Sequence, residues 1–210
     1  MFNYQSNARE HQDFFVLSML NKKRCGTYLE IGGAHPIIDS NTYLLESEFG
    51  WTGVSLEWSG DLSHLWSGNR KNPCICTDAT LADYDAIIQQ HIKSNHIDYL
   101  QLDIDPPQNT FKALLKINFF KFSFSVITYE HDLYNGGEFE RIASRKILES
   151  FGYKLILSDV MHDDLSFEDW YINPKYINQD LYEKFSDSNI KMNPGKLNPK
   201  HAILFKICGL

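Results

Sequence analysis

The chain has 210 residues, of which 43% are hydrophobic and 22% charged, with a formal net charge of −7. That length fits one domain with a full core, no apolar run approaches the roughly 18 residues a membrane span needs, and the acidic balance works against sequence-independent binding to phosphate backbones. The opening Met1-Phe-Asn-Tyr-Gln-Ser-Asn7 has no basic region ahead of an apolar stretch, so no signal peptide is read there and a cytoplasmic protein is expected.

A first helix is expected over 9–24, closing on Lys22-Lys-Arg24, whose cations complement the helix dipole. Next comes Thr27-Tyr-Leu-Glu-Ile-Gly-Gly-Ala-His-Pro36, a short apolar strand that runs through Glu30 into two adjacent glycines. Without Cβ atoms, Gly32 and Gly33 allow a sharp turn and a close approach of backbone to a ligand. Ser40-Asn-Thr-Tyr-Leu-Leu-Glu46 reads as a capped helix start, with Asn41 beside the turn. The following strand, Thr52-Gly-Val-Ser-Leu-Glu57, ends in a second acid 27 positions after the first. Strand, glycine turn, helix, strand and terminal carboxylate form the arrangement that grips the ribose of an adenosine-containing cofactor, where a spacing of about 20 is usual. There is no G-x-G-x-x-G, and His35-Pro36 stands where later glycines would admit a pyrophosphate. A dinucleotide is therefore disfavoured, whereas S-adenosylmethionine, which carries no phosphate, fits.

Further along, strands are expected at 72–76, 97–103, 123–130 and 153–158, alternating with helices whose apolar faces carry Phe111, Leu114 and Leu115, then Phe139, Ile142, Ala143 and Ile147. Such alternation marks an α/β fold: a Rossmann-like, seven-stranded, mostly parallel sheet with helices on both faces. The seventh strand is expected at 201–207, returning as a hairpin. Residues 160–199, rich in Asp, Asn, Pro and Tyr, are expected to form an irregular lid or substrate loop carrying Phe167, Trp170, Tyr171 and Tyr176. Cys25, Cys74, Cys76 and Cys208 show no disulfide spacing and read as small hydrophobes in a reducing compartment.

In open α/β sheets ligands sit beyond the carboxyl ends of the strands, and acids stand at five successive ends here. Glu30, Glu57 and Asp78 close or follow the first three strands, Asp103 and Asp105 the fourth, and Glu130-His-Asp132 the fifth. Glu57 suits a ribose diol, and Asp78, with Ala79 beside it, suits an adenine amine. A sulfonium with its α-amino group favours nearby carboxylates such as Asp103, which is also a candidate catalytic residue. Asp105, Glu130 and Asp132 are hard oxygen donors able to hold Mg²⁺ or another divalent cation, and His131 is the candidate base toward a hydroxyl. A hydrogen-bonded polar rim without metal is the alternative.

Several segments together resemble the FkbM-type methyltransferases, a branch of the class I S-adenosylmethionine-dependent enzymes. They are Gln12-Asp-Phe-Phe-Val-Leu17, Tyr28-Leu-Glu-Ile-Gly-Gly33, Ser40-Asn-Thr-Tyr-Leu-Leu-Glu46 and Gly50-Trp-Thr-Gly-Val-Ser-Leu-Glu57. Ile97-Asp-Tyr-Leu-Gln-Leu-Asp-Ile-Asp105, Ile127-Thr-Tyr-Glu-His131 and Phe167-Glu-Asp-Trp-Tyr171 continue the series. The resemblance implies methyl transfer to a hydroxyl of a sugar or small metabolite, and a divalent metal at Asp103 or Asp105 with Glu130 or Asp132. Two departures stand out: His35-Pro36 after the turn, and Asp105-Pro106-Pro107 where an acid-glycine pair is usual. The latter is similar to the Asp-Pro-Pro-aromatic motif of amino-group methyltransferases, with Gln108 in place of the aromatic residue that stacks on a flipped base. N-methylation of nucleic acid, or a binding module that keeps the cofactor pocket without catalysis, are the competing readings.

Overall fold

The computed structural model describes residues 4–180 and 183. Its strands are β1 (Thr27–Ile31), β2 (Thr52–Glu57), β3 (Cys74–Cys76), β4 (His96–Leu102), β5 (Ser123–Glu130), β6 (Lys154–His162) and β7 (Leu165–Ile172). Among the described residues they make one sheet in the order β3-β2-β1-β4-β5-β7-β6. All pairs are parallel except those of β7, which runs antiparallel to both β5 and β6. The expected α/β, Rossmann-like architecture is therefore present.

The helices are α1 (Gln12–Met19), α2 (Tyr43–Ser47), α3 (Gly60–Trp66), α4 (Tyr84–His91), α5 (Pro107–Lys116) and α6 (Glu138–Ser150). Two of them start on side-chain caps: Leu62 N–H donates to Ser59 Oγ at 3.3 Å, and Ala86 N–H to Asp83 Oδ1 at 3.1 Å. Two apolar cores lie on opposite faces of the sheet. One joins Leu29, Leu100 and Ile127 to Ile88 of α4, Leu114 of α5 and Leu148 of α6. The other joins Tyr28, Tyr99 and Val126 to Phe15 of α1 and Leu45 of α2.

Three expectations change. Helix α1 spans Gln12–Met19 rather than 9–24, because His11 sits in the left-handed region at its start and Asn21 and Lys22 do so beyond its end. The seventh strand is β7, inside the stretch expected to be irregular; the 201–207 candidate lies outside the described residues. Its acids concealed it, since Glu168 and Asp169 are buried and partnered instead of solvated. Helix α6 buries Glu140, Ser144 and Leu148, while Phe139 and Ile142 are exposed. Arg141 and Arg145 turn that helix, because they reach Asp159 and Asp169 on the β6–β7 hairpin at 2.6–2.8 Å. No helix of the described residues is long and apolar enough to cross a membrane.

Candidate active site

Buried parallel strands normally read as apolar runs, yet one face of this sheet carries two polar rows near its C-terminal edge. Strand register sets Ser55, Glu30, Gln101 and Thr128 side by side across β2, β1, β4 and β5. Two residues further on, and therefore on the same face, come Glu57, Gly32, Asp103 and Glu130, with Glu168 opposite Glu130 on β7. Above these rows lies a cavity of about 790 Å³, within the range of small-molecule sites.

Ten of the anticipated residues line that cavity: Glu30, Gly32, Gly33, Asn41, Glu57, then Asp78, Ala79, Asp103, Asp105 and Glu130. The glycines act on protein neighbours. A Cβ on Gly32, at φ +92°, would lie 1.7 Å from the Asp103 carbonyl oxygen, and one on Gly33 would lie 2.9 Å from the Trp66 ring. Both glycine N–H groups donate to the Leu56 carbonyl at 2.9 Å, so the turn is clamped between β2 and β4. Glu57 is held at both oxygens, by the Ala34 N–H at 2.8 Å and the Ser59 N–H at 2.8 Å. Each oxygen keeps a second lone pair for a diol. Asp78 is exposed at the cavity mouth, and hydrogen bonds from Thr80 hold its carboxyl below the ordinary range.

Glu30 is buried and accepts hydrogen bonds from the hydroxyls of Thr42, at 2.9 Å, and Ser55. Burial pushes it up to about 7, against the pull of nearby Arg70. At the other end, Asp103 and Glu130 line the cavity from the ends of the neighbouring strands β4 and β5. Burial first, and then the charge of Asp103, raise Glu130 far above the ordinary carboxyl range, and burial raises Asp103 as well. Burial, followed by Asp105 and Asp103, pushes Asp132 up to about 6. The Asp103–Asp105 turn is pinned onto α5 by Thr110, whose hydroxyl accepts from the Ile104 N–H at 3.1 Å and donates to the Ile104 carbonyl at 2.5 Å.

His131 does not face the cavity, which corrects its assignment as a base toward the acceptor. Its ring is fully buried; Nδ1 accepts from the Leu133 N–H at 3.2 Å, and Nε2 points at Asp169 Oδ1, 3.5 Å away. Although burial opposes it, Arg145 and His131 hold the Asp169 carboxyl well below the ordinary range. The backbone explains the reversal: β5 ends at Glu130, so the next side chain lies on the opposite face, and Asp132 then adopts a left-handed conformation at φ 44°.

The metal expectation for Asp105, Glu130 and Asp132 gains no support. Among the described residues, the group of three potential ligands whose atoms lie within 4.8 Å of one another is His131, Asp159 and Asp169. Arg141 and Arg145 already occupy its carboxylates. Asp132 is buried and is not part of the cavity wall.

Sequence reasoning passed over two important residues. Trp58 follows Glu57, lines the cavity and is 80% exposed, which leaves a flat aromatic face free; its position beside a strand-terminal acid was the available signal. Arg70, in the polar run Gly68-Asn-Arg-Lys71, resembled a solvated charge but is buried. It pairs with Glu46 at 2.7 Å and donates to the Pro36 carbonyl, Ser40 Oγ, Tyr28 OH and Thr42 Oγ1 at 2.9–3.3 Å. Arg70 thereby fixes the 36–42 segment that carries Asn41.

No protein-family model matches the chain, and no curated protein matches it. Solved structures do. A candidate rRNA methylase from Clostridium thermocellum aligns with a TM-score of 0.57 at 12% identity, over 81% of this chain and 97% of its own. A human methyltransferase 10 domain containing protein aligns at 0.52 and 10% identity, over 81% and 83% of the two chains. Fibrillarin from Aeropyrum pernix, solved with natively bound S-adenosyl-L-methionine, aligns at 0.50 and 14% identity, over 77% and 76%. The chain thus has the class I, S-adenosylmethionine-dependent methyltransferase fold.

Proposed function

We propose that this chain binds S-adenosylmethionine in the cavity above β1, β2 and β4 and transfers its methyl group to a hydroxyl of a sugar or small metabolite. The observation that carries the reading is Glu57, a carboxylate fixed by two backbone amides at the rim of a glycine turn, flanked by an exposed tryptophan. In this reading Glu57 takes the ribose diol, Trp58 stacks on the adenine and Asp78 accepts from its amine. Gly32, Gly33 and Ala79 shape the wall, and Asn41 and Glu30 face the amino-acid end. Asn41 Oδ1 and Gln101 Oε1 are buried acceptors without a hydrogen-bond partner, as a donor-rich ligand requires.

When bound, the sulfonium supplies an electrophilic methyl group. Methyl transfer to the acceptor oxygen would release the hydroxyl proton, which a carboxylate of this chain would take. Asp103, beside Glu130 on the cavity wall, is placed to take it, in the role first given to His131. Most of the rate is assigned to alignment of the two reactants. Nucleic acid is opposed by the wall, whose cationic side chain among the described residues is Arg9 alone. The free thiols of Cys25, Cys74 and Cys76 accord with a cytoplasmic location.

The test is incubation with methyl-labelled S-adenosylmethionine and a panel of sugars and hydroxylated metabolites. Label recovered in an alkali-stable ether supports the reading. Label recovered only in amines or RNA contradicts it.

A further inference from the structure

The cavity wall is rich in acceptors, and the methyl donor brings a further one of its own. Seven carboxyl side chains line the cavity, whereas the one lining cation among the described residues is Arg9. The donor's sulfonium and ammonium suit such a wall. Its α-carboxylate is repelled by the same charges unless a cation takes it.

The chain ahead of α1 is built to hold Arg9 at that wall. Asp13, fully buried in the first turn of α1, accepts hydrogen bonds from Ser6 Oγ at 2.6 Å and the Asn7 N–H at 3.0 Å. Asn7 Nδ2 then donates to the Ile37 carbonyl at 3.3 Å, which ties residues 6–9 to the segment that carries Asn41. A buried carboxylate is costly, and the hydrogen bonds of this one fix the backbone just ahead of Arg9. Gln12 closes the other side: it lines the cavity, its Oε1 accepts from the Glu10 N–H and its Nε2 donates to Glu168, both at 3.0 Å. Arg9 itself is lightly engaged. Among the described residues its guanidinium, with five N–H donors, makes one hydrogen bond, to Asp39 Oδ2 at 3.2 Å. Both side chains of that pair are about half exposed, at 54% and 52%, so the contact is weak and readily exchanged. The charges of Asp103 and Glu130 also act on Arg9, which sets it toward the end of the cavity where transfer is assigned.

We infer that Arg9 is the seat of the methyl donor's α-carboxylate and exchanges its bond to Asp39 for that group. The planar guanidinium fork suits a carboxylate. Arg9 thereby makes the site selective for a donor that carries the carboxylate over one that lacks it. This inference rests on the cofactor reading above, and the two fail separately.

The experiment titrates the full chain calorimetrically with S-adenosylmethionine and, separately, with decarboxylated S-adenosylmethionine, which keeps the sulfonium and the amine. An acidic wall without a cationic seat would favour the decarboxylated form, whose net positive charge is higher. The wild type is instead expected to prefer the complete donor by roughly fivefold or more, the upper reach of a half-exposed charge pair. Arg9→Ala should abolish or reverse that preference while affinity for the decarboxylated donor holds. Asp39→Asn, which releases the guanidinium, should tighten binding of the complete donor alone. Equal or reversed preference in the wild type, or a preference that survives Arg9→Ala, overturns the inference. So does a matching loss of affinity for both donors in the two variants, the mark of a merely structural ion pair. Failure of both donors to bind the wild type overturns the underlying cofactor reading instead.

Discussion

Replacing Arg70 by methionine removes the charge at the centre of the network that shapes the cavity's upper wall. The guanidinium is fully buried, its Glu46 partner nearly so, and the two meet at 2.7 Å. Breaking such a pair from one side strands a carboxylate in the interior, at about 3–5 kcal/mol. Glu46 keeps hydrogen bonds from the Lys71 N–H at 2.5 Å and Asn72 Nδ2 at 2.9 Å, which points to the lower end of that range. For a chain of this size, about 3 kcal/mol corresponds to a fall in melting temperature of roughly 6–12 °C. Pro36, Ser40 and Thr42 lose their common donor in the same step, so Asn41 is no longer held and cofactor affinity should fall as well. Arg70→Lys should recover little, because an ammonium cannot reproduce the planar fork. Urea denaturation of the two variants beside the wild type, with calorimetric affinity for S-adenosylhomocysteine, reads both effects. A loss below about 1 kcal/mol with unchanged affinity would refute the keystone role of Arg70.

Three further outcomes are expected. His131→Ala should cost about 1–3 kcal/mol of stability, because buried Asp169 loses a partner, yet leave the acidic limb of a pH–rate profile in place; disappearance of that limb would restore His131 as the base. Trp58→Ala should weaken cofactor binding by about 1–3 kcal/mol, the value of a base on an aromatic platform, and leave the melting temperature nearly unchanged, since the ring is exposed; unaltered affinity would remove Trp58 from the site. Burial raises Glu168 from its ordinary 4.5 to about 8. The native state therefore holds this proton more tightly than the unfolded chain, so its contribution is full below about pH 4.5 and is lost as pH rises through 8. Glu168→Gln should flatten that decline in denaturation midpoints measured from pH 5 to 8.5, and a wild-type midpoint that rises over this window would contradict the assignment.

Much of the sheet was legible because its physics is local. Strands β2 and β5 begin and end where their residues change character, at Thr52 and Glu57 and at Ser123 and Glu130. The strand-terminal acids were legible for the same reason, and parallel register brings them to one rim. Strand β7 was not, because Asp169 and Glu168 become compatible with a buried strand only once Arg145 and Gln12 reach them across the fold, with Trp170 donating from two positions along the strand. Arg70 escaped for the same cause: its five partners come from positions 28 to 46 and meet only in three dimensions. His131 misled because adjacency to Glu130 in sequence means opposition in space at a strand end.

The most direct test of the whole reading is calorimetric titration of the wild type and Glu57→Ala with S-adenosylmethionine. One-to-one binding by the wild type, weakened by at least about 2 kcal/mol in the variant through loss of the charge-assisted hydrogen bonds to the ribose, is the predicted result. Absence of binding to the wild type, or equal affinity in a folded Glu57→Ala, would contradict it.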